Sequence, residues 1–393
     1  MGNSEPLRLQ VKLFTACGKA FHLISLLNPS SILGLFMGKG IRKASILLPI
    51  LSIFFTSCGF LGHQTSILIE NTSVSGKLRN NELWRGKITL TGDVWVPPDV
   101  TLRLAPETTI FVDPRKDDQH NGLNPNKVEI IVEGSLVAVG TPTRPIKITL
   151  IPDKAKQFNT WYGMVFRNVN GQSLLKHVQI KHAEIGISFI DSSVLIQNCT
   201  IQSCSKAAIS CEGTSAPIIQ DCVLIGSKRC IGGIEIHDNS KPQILNNIIE
   251  GFTYHGGILI DGRSKALIKG NEIKNNHHGI RGGHLAEAIV LENVIKGNSE
   301  FGITMWDSLH IILKKNTITD NGRSGISVHD TAVLIAANGA NCIIMNNRHY
   351  NLANYTPFTI DATGNYWGTA DLEVIKSRNR GVIHLEPFLV SEP

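Results

Sequence analysis

The sequence has little charge, few aromatic residues and no cysteine pattern typical of a metal site. Of its 393 residues, 18% are charged and 6% are aromatic. Lys and Arg are scattered and the formal net charge of +6 is modest, which excludes the basic footprint of a nucleic-acid-binding protein. No Cys-x-x-Cys pair or His/Cys group has the spacing of a zinc site. We therefore expect no nucleic-acid partner, no metal site and no cofactor.

The composition is that of a folded chain. Hydrophobic residues make up 42% of the sequence, and Gly is abundant at 36 residues. A chain with so much apolar material can bury a core, whereas disordered chains are polar and strongly charged. Low charge combined with many Gly and Asn residues favours strands joined by tight turns.

The N-terminal region has the pattern of an export signal. Residues 37–57 contain a basic start, an apolar run from Ala44 to Phe55 and small residues before Cys58. The ending Phe-Thr-Ser-Cys resembles the lipobox of bacterial lipoproteins, although Phe55 stands where Leu is usual. The resemblance implies that Cys58 carries a lipid and becomes the mature N-terminus. The residue after Cys58 is Gly59 and not the Asp that retains such lipoproteins in the inner membrane, so the outer membrane is favoured.

The start of the chain allows two interpretations. Signal peptides begin close to their basic residues, so Met37 is the expected start and residues 1–36 are a doubtful extension. Alternatively, Met1 is the start and Ile46 to Leu61 is an uncleaved anchor. That stretch is shorter than the ~20 residues that a spanning helix needs. Both interpretations place the remaining chain outside the cytoplasm, in the cell envelope.

An internal repeat dominates the rest of the sequence. A Gly-Ile or Ala-Ile pair recurs at intervals of 22, 25, 24, 22, 23 and 23 residues, with its Ile at positions 187, 209, 234, 258, 280, 303 and 326. A second track runs in phase, as Cys or Asn two residues before an aliphatic residue, at positions 199, 222, 247, 271, 293 and 316. Two tracks with one period over seven units indicate a solenoid.

Each unit has room for short strands and not for helices. Between Gly257 and Ile273 the apolar residues fall into short alternating pieces separated by turn residues. The pattern of leucine-rich repeats is absent. We therefore predict an all-β fold, a right-handed parallel β-helix whose strands bond to equivalent strands one coil away, at ~4.8 Å. The Asn track is predicted to be structural, because stacked Asn side chains can bond each other and the backbone of the turns.

Specific segments resemble a known family. These are IIVEGSLVAVGTPTRPIKIT (residues 130–149), the W-x-G-x-x-F pattern at Trp161 and ATGNYWGT (residues 362–369). They are similar to the bacterial right-handed parallel β-helix repeat family of the pectin-lyase superfamily, over roughly residues 81–388. The expected organisation is an extension (1–36), a signal peptide (37–57), a tether (58–80), the β-helix (81–368) and a C-terminal closing segment (369–393).

Two cysteines share one column of adjacent coils. Cys199 and Cys222 are predicted to stack at a separation that a disulfide can bridge, and an exported protein meets an oxidising compartment. Alternatively, the two thiols simply replace Asn in the column. The sequence leaves both interpretations open.

The repeat register also predicts which residues face solvent. With each Ile inward, the residue two positions later is inward as well, so the first and third positions after the Ile point outward. The third and fourth positions collect carboxylates, imidazoles and one indole, which are Glu212, His237, Asp261, Trp306 and His329, followed by Asp191, Asp238, His284, Asp307 and Asp330. Glu235 and Arg281 lie at the first position. Stacked coils would bring these side chains into one strip.

This strip is the predicted functional surface. His237, Trp306 and His329 would bind a polysaccharide or other glycan, since an outward Trp stacks on sugar rings. The primary hypothesis is a monomeric, non-catalytic envelope lipoprotein that binds or organises polysaccharide and meets the membrane through its lipid.

Two other function classes remain. A glycoside hydrolase would use a carboxylate pair, Asp238 with Asp261 or Asp307 with Asp330. A polysaccharide lyase would use Arg281 and His284 beside a uronate carboxyl, with the loop of residues 113–126 as a wall. β-Helix proteins also include a copper-linked periplasmic accessory protein, and His255, His277 and His278 would serve that role. For any single Asp, the competing interpretation is a turn cap.

Overall fold

The computed structural model describes residues 66–114, 119–120, 122–155, 161–169, 171–227, 230–337 and 339–393. The extension, the signal peptide and Cys58 lie outside these residues, so their assignments stay predictions. The described chain coils through three parallel β-faces, named here first, second and third in the order in which the chain crosses them. The predicted all-β parallel solenoid is confirmed.

The first face is one sheet of twelve strands. Its strands are β1 (Ile67–Glu70), β3 (Glu82–Arg85), β5 (Thr101–Leu104), β8 (Ser135–Val139), β11 (Leu174–Lys176), β14 (Leu195–Gln197), β17 (Ile218–Gln220), β20 (Gln243–Leu245), β23 (Lys265–Lys269), β26 (Glu287–Leu291), β29 (His310–Lys314) and β32 (Val333–Ile335). Each coil contributes one strand to this face, so the solenoid has about twelve coils.

The second and third faces are joined by two long or bent strands, β2 (Ser73–Lys77) and β4 (Lys87–Val96). The second face comprises β6 (Thr109–Val112), β9 (Ile146–Leu150), β12 (Val178–Lys181), β15 (Thr200–Gln202), β18 (Val223–Ile225), β21 (Ile248–Glu250), β24 (Glu272–Lys274), β27 (Val294–Lys296), β30 (Thr317–Thr319) and β33 (Ile343–Met345). The third face comprises β7 (Glu129–Val132), β10 (Gly163–Arg167), β13 (Ile185–Ile190), β16 (Ala207–Glu212), β19 (Gly232–Ile236), β22 (Gly256–Ile260), β25 (His278–Gly282), β28 (Phe301–Met305), β31 (Ser324–Val328), β34 (Tyr350–Asn354) and β36 (Asn379–Arg380).

The remaining elements are small. A two-stranded parallel sheet pairs β35 (Ile360–Asp361) with β37 (Ile383–His384). The helices are α1 (Pro152–Ala155) and α2 (Leu372–Ser377). No helix among the described residues is long and apolar enough to cross a membrane.

The solenoid starts earlier than residue 81. Strands β1 and β2 lie within the predicted tether, and β1 bonds to β3 while β2 bonds to β4. At the other end, β36 bonds to β34, so the closing segment continues the third face. Pairing by backbone hydrogen bonds, which the hydrophobic period alone does not reveal, accounts for both extensions.

The predicted inward register is confirmed. Ile234 pairs with Ile258 and Ile258 with Ile280, and all three are fully buried. The residues two positions after each Ile are buried too, as predicted. A single apolar core therefore runs along the coils and fixes which residues of the third face point outward.

The Asn column has the predicted structural role. The amide oxygen of Asn293 accepts from the backbone N–H of Asn271 at 2.8 Å, and its amide nitrogen donates to Asn316 at 3.0 Å and to Ile268 O at 2.9 Å. All members of this column are buried. From Cys199 onward, this column satisfies the backbone at one corner of successive coils, which would otherwise carry unpaired polar groups.

Candidate functional site

A groove runs along the outside of the third face. Its floor is the row of residues directly after the inward Ile of each coil, which pair in register from coil to coil: Ser188, Ser210, Glu235, Leu259, Arg281, Thr304 and Ser327. These side chains point outward, yet five of the seven are buried. Side chains on both sides must therefore stand above them, and we call this feature the third-face groove.

Glu235 is the most buried acid of the groove floor. Its side chain is 7% exposed and lies 3.1 Å from His255 Nδ1 and 3.8 Å from His237 Nε2. Burial alone would raise the pKa of Glu235, but the hydrogen bond to His255 and the neighbouring His237 imidazole outweigh it and lower that pKa. The neighbouring carboxylate of Glu235 raises the pKa of His237. The groove thus holds a carboxylate between two imidazoles.

Arg281 lies two coils beyond Glu235 in the same floor row. The residue is half-buried, and its guanidinium makes no ion pair or hydrogen bond within the part of the chain that the structure describes. Other groove arginines are paired: Arg167 with Glu133 at 2.8 Å and Arg323 with Glu300 at 3.1 Å. A cation withdrawn from water without a counter-charge is costly, so the Arg281 guanidinium is suited to an anionic ligand.

His278 stands beside Arg281 at the groove edge. Burial, and then the positive charges of His277, Arg281 and His255, lower the pKa of His278 to about 3. The imidazole is therefore neutral at physiological pH. His277 and His278 pack edge to face at 4.5 Å, whereas His255 bonds to Glu235. Although His255 and His277 both act on the charge of His278, no group of three or more His, Cys, Asp or Glu among the described residues could hold a metal ion.

Three aromatic rings form a stack on the opposite edge of the groove. The rings of Trp306 and His329 are 3.9 Å apart and nearly parallel, and those of His329 and Tyr355 are 4.7 Å apart. The guanidinium of Arg380 lies 4.8 Å from the Tyr355 ring. His329 therefore cannot offer an open ring face to a sugar, while no ring or cation among the described residues stacks on the other face of Trp306.

The fourth-position residues form the turns beside that edge. Asp191, Asp238, His284, Asp307 and Asp330 all have left-handed backbone φ between 48° and 59°. The carboxylate of Asp238 accepts from the N–H of Gly213 at 2.8 Å, and that of Asp307 accepts from His284 at 2.9 Å. These contacts match the turn-cap interpretation of the fourth-position Asp residues.

Asp261 and His284 form a pair across adjacent coils. The Nδ1 atom of His284 is hydrogen-bonded to Asp261 Oδ1, which also accepts from the N–H of Gly262 at 2.8 Å. The hydrogen bond and then the charge of Asp261 raise the pKa of His284. The structure thus brings Asp261 and His284 together, whereas Asp238, Asp307 and Asp330 are bound to the backbone of turns.

Cys199 and Cys222 are free, buried thiols in the structure. The N–H of Cys199 donates to Cys222 Sγ at 3.4 Å, and the Cys222 N–H donates to Asn247 Oδ1 at 2.8 Å. Each sulfur lies near a carbonyl of its own coil. The two thiols therefore occupy the Asn column in the way that the sequence analysis gave as the alternative to a disulfide.

Two contacts of the groove were missed by reasoning from the sequence. Tyr355 follows Leu352 at the third position, but that coil has Asn351 where the others have Gly or Ala, so the Gly-Ile pattern ends at Ile326. The sequence predicts His255 in a group with His277 and His278, whereas its contact is with Glu235 in the preceding coil. Extending the period by one unit would have found Tyr355.

Comparisons with known proteins support the fold assignment. The family model described as "right handed beta helix region" matches residues 157–255 and 232–366, which together are more than half of the chain. No curated protein sequence matches significantly.

Solved structures with the same fold include a point mutant of the periplasmic alginate epimerase AlgG. It shares 13% identity and a TM-score of 0.57, with 76% of this chain and 77% of that chain covered. The A-module of the Azotobacter vinelandii mannuronan C-5 epimerase AlgE4 shares 11% identity and a TM-score of 0.42, with 90% and 96% covered. Identities this low show the fold alone. With its repeats, its three parallel faces and the family match, this chain belongs to the right-handed β-helix family.

Proposed function

We propose that this protein binds an acidic, uronate-containing polysaccharide along the third-face groove. The observation that carries the proposal is Arg281, a half-buried cation in the groove floor without an acidic partner among the described residues. A sugar carboxylate would supply the missing counter-charge through a charge-assisted hydrogen bond.

The length of the groove favours a polymer over a small molecule. Its floor row covers seven coils from Ser188 to Ser327, and six steps of ~4.8 Å give a length of roughly 29 Å. The N-terminal half carries Glu212 and Glu235. In the C-terminal half Arg323 is paired with Glu300, and the carboxylates of Asp307 and Asp330 accept backbone N–H groups, whereas Arg281 has no acidic partner among the described residues. We infer that the uronate units lie over the C-terminal half. The AlgG epimerase, which shares this fold, is named for its action on alginate, so alginate is the first polymer to test.

A second candidate function is proton transfer on the bound uronate. Glu235 with its two imidazole partners supplies groups that accept and donate protons, and Arg281 could neutralise the carboxylate beside the reacting carbon. This chemistry serves a lyase or an epimerase. A hydrolase has less support, because the carboxylates of Asp238, Asp307 and Asp330 already accept backbone N–H groups. The copper-linked role lacks a convergent His group in the described chain.

Binding and chemistry are tested together with the purified protein. Affinity electrophoresis in gels containing alginate, polygalacturonate or neutral dextran measures binding, while ultraviolet absorbance of unsaturated uronates and NMR of the polymer report elimination and epimerisation. Arg281→Gln should weaken retardation by both polyuronates. Arg103→Gln, at an exposed first-face arginine, is the matched control. Equal retardation of wild type and Arg281→Gln would overturn the proposal. If a polymer binds and is not chemically changed, the result supports the non-catalytic role.

We also propose that the chain is exported and held at the outer membrane by a lipid on Cys58, as a monomer. The signal-like pattern before Cys58 supports this, and the fold neighbour AlgG is described as periplasmic. Cell fractionation of wild type and Cys58→Ala tests it. We expect the wild type in the outer-membrane fraction and the variant in the inner membrane or released. Identical fractionation of both would contradict the anchor. The molar mass of the released protein, measured by light scattering, tests whether it is a monomer.

A further inference from the structure

One edge of the third-face groove has a gap. The third-position residues stack from coil to coil as Glu212, His237, Asp261, Gly283, Trp306, His329 and Tyr355. Gly283 follows Gly282, which pairs with Ile260 on one side and Met305 on the other, so Gly283 lies between Asp261 and Trp306. Every other member of this column carries a large or charged side chain. The missing side chain at Gly283 opens the groove edge at this coil.

The free face of the Trp306 indole borders this gap. The ring is parallel to the His329 ring at 3.9 Å, and His329 belongs to the following coil. Rings stacked from one coil to the next have their other faces directed along the solenoid, so the second face of Trp306 is directed toward the coil of Gly283. No ring or cation contacts that face within the described chain, and the side chain is 40% exposed.

The opposite wall of the gap is turned away from Trp306. His284 is the neighbour of Gly283, and its ring reaches back to Asp261 in the preceding coil. Its pairing with Asp261 therefore directs the His284 ring toward the preceding coil and away from the coil of Trp306. The rows of Asp261 and Trp306 are two coil steps apart, or roughly 9.6 Å. Allowing ~3.5–4.0 Å for each van der Waals contact, the gap admits one ring-shaped group.

Two polar side chains in the floor of the gap have no partner among the described residues. Arg281 lies in the strand that ends just before Gly283, and it pairs in register with Thr304 of the next coil. The Thr304 hydroxyl is buried, with the residue 1% exposed, and it makes no hydrogen bond among the described residues. An unsatisfied buried hydroxyl is unfavourable, and because this atom is covered, a ligand oxygen reaches it only when the side chains above it move aside.

We propose that the gap at Gly283 is a subsite for a single uronate residue. Its ring stacks on the free face of Trp306, and its carboxylate binds the Arg281 guanidinium. This inference rests on the proposed function and adds to it the place where a uronate residue is recognised. The absence of a side chain at position 283 is what admits the sugar, so Gly283 determines specificity while Trp306 and Arg281 make the contacts.

Position 283 can be filled without straining the backbone. Gly283 does not have a positive φ, and an added Cβ would lie 2.8 Å from Asp307 Oδ2 and 3.7 Å from Trp306 Cβ. The Asp307 carboxylate accepts from the His284 N–H, so the new side chain must displace this oxygen slightly, at a cost no larger than that one hydrogen bond. Gly283→Leu should therefore fold and place its side chain over the indole face. Circular dichroism checks folding. If Gly283→Leu does not fold, Trp306→Phe tests the subsite in its place, because it keeps a flat ring at position 306.

The test uses alginate oligosaccharides and the intrinsic tryptophan fluorescence of the whole protein. The oligosaccharides should change wild-type fluorescence, and Trp306→Phe should remove that change. Gly283→Leu should bind about tenfold more weakly, the loss expected when one aromatic contact is removed, while Arg103→Gln binds as wild type.

The outcomes separate the subsite from the proposed function. If wild type and Gly283→Leu bind equally while Arg281→Gln does not bind, the groove binds uronates and the subsite is wrong. A fluorescence change that persists in Trp306→Phe also overturns the subsite. If no polyuronate binds the wild type, the proposed function fails and the subsite fails with it.

Discussion

The backbone N–H of Asp307 donates a hydrogen bond to the carboxylate of Asp330, one coil later, at 3.1 Å. The N–H of His284 bonds in the same way to Asp307. Both acceptors sit in turns with a left-handed backbone, a conformation that Asp, Asn and Gly tolerate better than other residues. The carboxylates thus hold successive turns together, and a role as acid or base would require them to leave these bonds.

This relationship predicts how Asp307 tolerates substitution. Asp307→Asn keeps an acceptor oxygen and tolerance of the left-handed φ, so its stability should match the wild type. Asp307→Ala loses both and should lower the free energy of unfolding by about 1–2 kcal/mol. Urea unfolding followed by circular dichroism measures the difference. If Asp307 were catalytic and not a turn cap, Asp307→Asn would destroy activity, and Asp307→Ala would leave stability unchanged.

The Asn column predicts a larger loss. Asn293 bonds to the amides of Asn271 and Asn316 and to the backbone of Ile268, all of them buried. Asn293→Ala leaves several of these groups unpaired, and each unsatisfied buried group costs about 1–3 kcal/mol. We expect a loss of about 3 kcal/mol in thermal or urea unfolding. Ser299→Ala, at an exposed turn position, is the control, and similar losses for both variants would contradict a special role of the column.

The sequence predicted the solenoid because its period is carried by buried residues. Ile258 and Asn271 recur at fixed intervals, since each coil must fill the same core position and satisfy the same corner. A second buried column was not predicted. It runs through Asn276, Asn298, Asn321 and Asn347, each bonded to the next. Asn is frequent in turns, so the pattern alone does not reveal which Asn side chains point into the core.

The groove was predictable as a strip but not as a set of contacts. Alternation along each strand placed His237, Trp306 and His329 on the outer surface. It did not show that Trp306 stacks on His329, or that His255 bonds to Glu235. Those contacts depend on side-chain rotamers and on the register between coils. The sequence likewise could not show that Asp238 is committed to the N–H of Gly213.

The thiol column predicts a specific alkylation pattern. Cys199 and Cys222 are free and buried, and burial also raises the pKa of nearby Cys204 to about 12. Buried thiols in the folded protein should therefore react slowly with iodoacetamide at neutral pH. After denaturation without reductant, peptide mass spectrometry should find both Cys199 and Cys222 alkylated. Recovery of a peptide pair linked through these two cysteines would show that the exported protein forms the disulfide.

Glu235 and His237 predict a pH-dependent contribution to stability. The hydrogen bond to His255 and the neighbouring His237 imidazole lower the pKa of Glu235 despite its burial, so its contribution is present above the ordinary value of 4.5 and is lost as pH falls through the lowered pKa. The Glu235 carboxylate raises the pKa of His237, so that contribution is complete below 6.5 and is lost as pH rises through the raised pKa. Both contributions are therefore complete between these two values.

Melting temperatures of wild type and Glu235→Gln, measured at a series of pH values, test this window. The difference should be largest between pH 4.5 and 6.5 and should shrink on either side, because Gln can accept a hydrogen bond from a protonated imidazole but carries no negative charge to stabilise it. Glu287→Gln is the control, since its carboxylate forms an exposed pair with Lys265 on the first face and exposed pairs contribute little. A difference for Glu235→Gln that stays constant across the series would mean that Glu235 acts by packing and that the groove holds no charged pair.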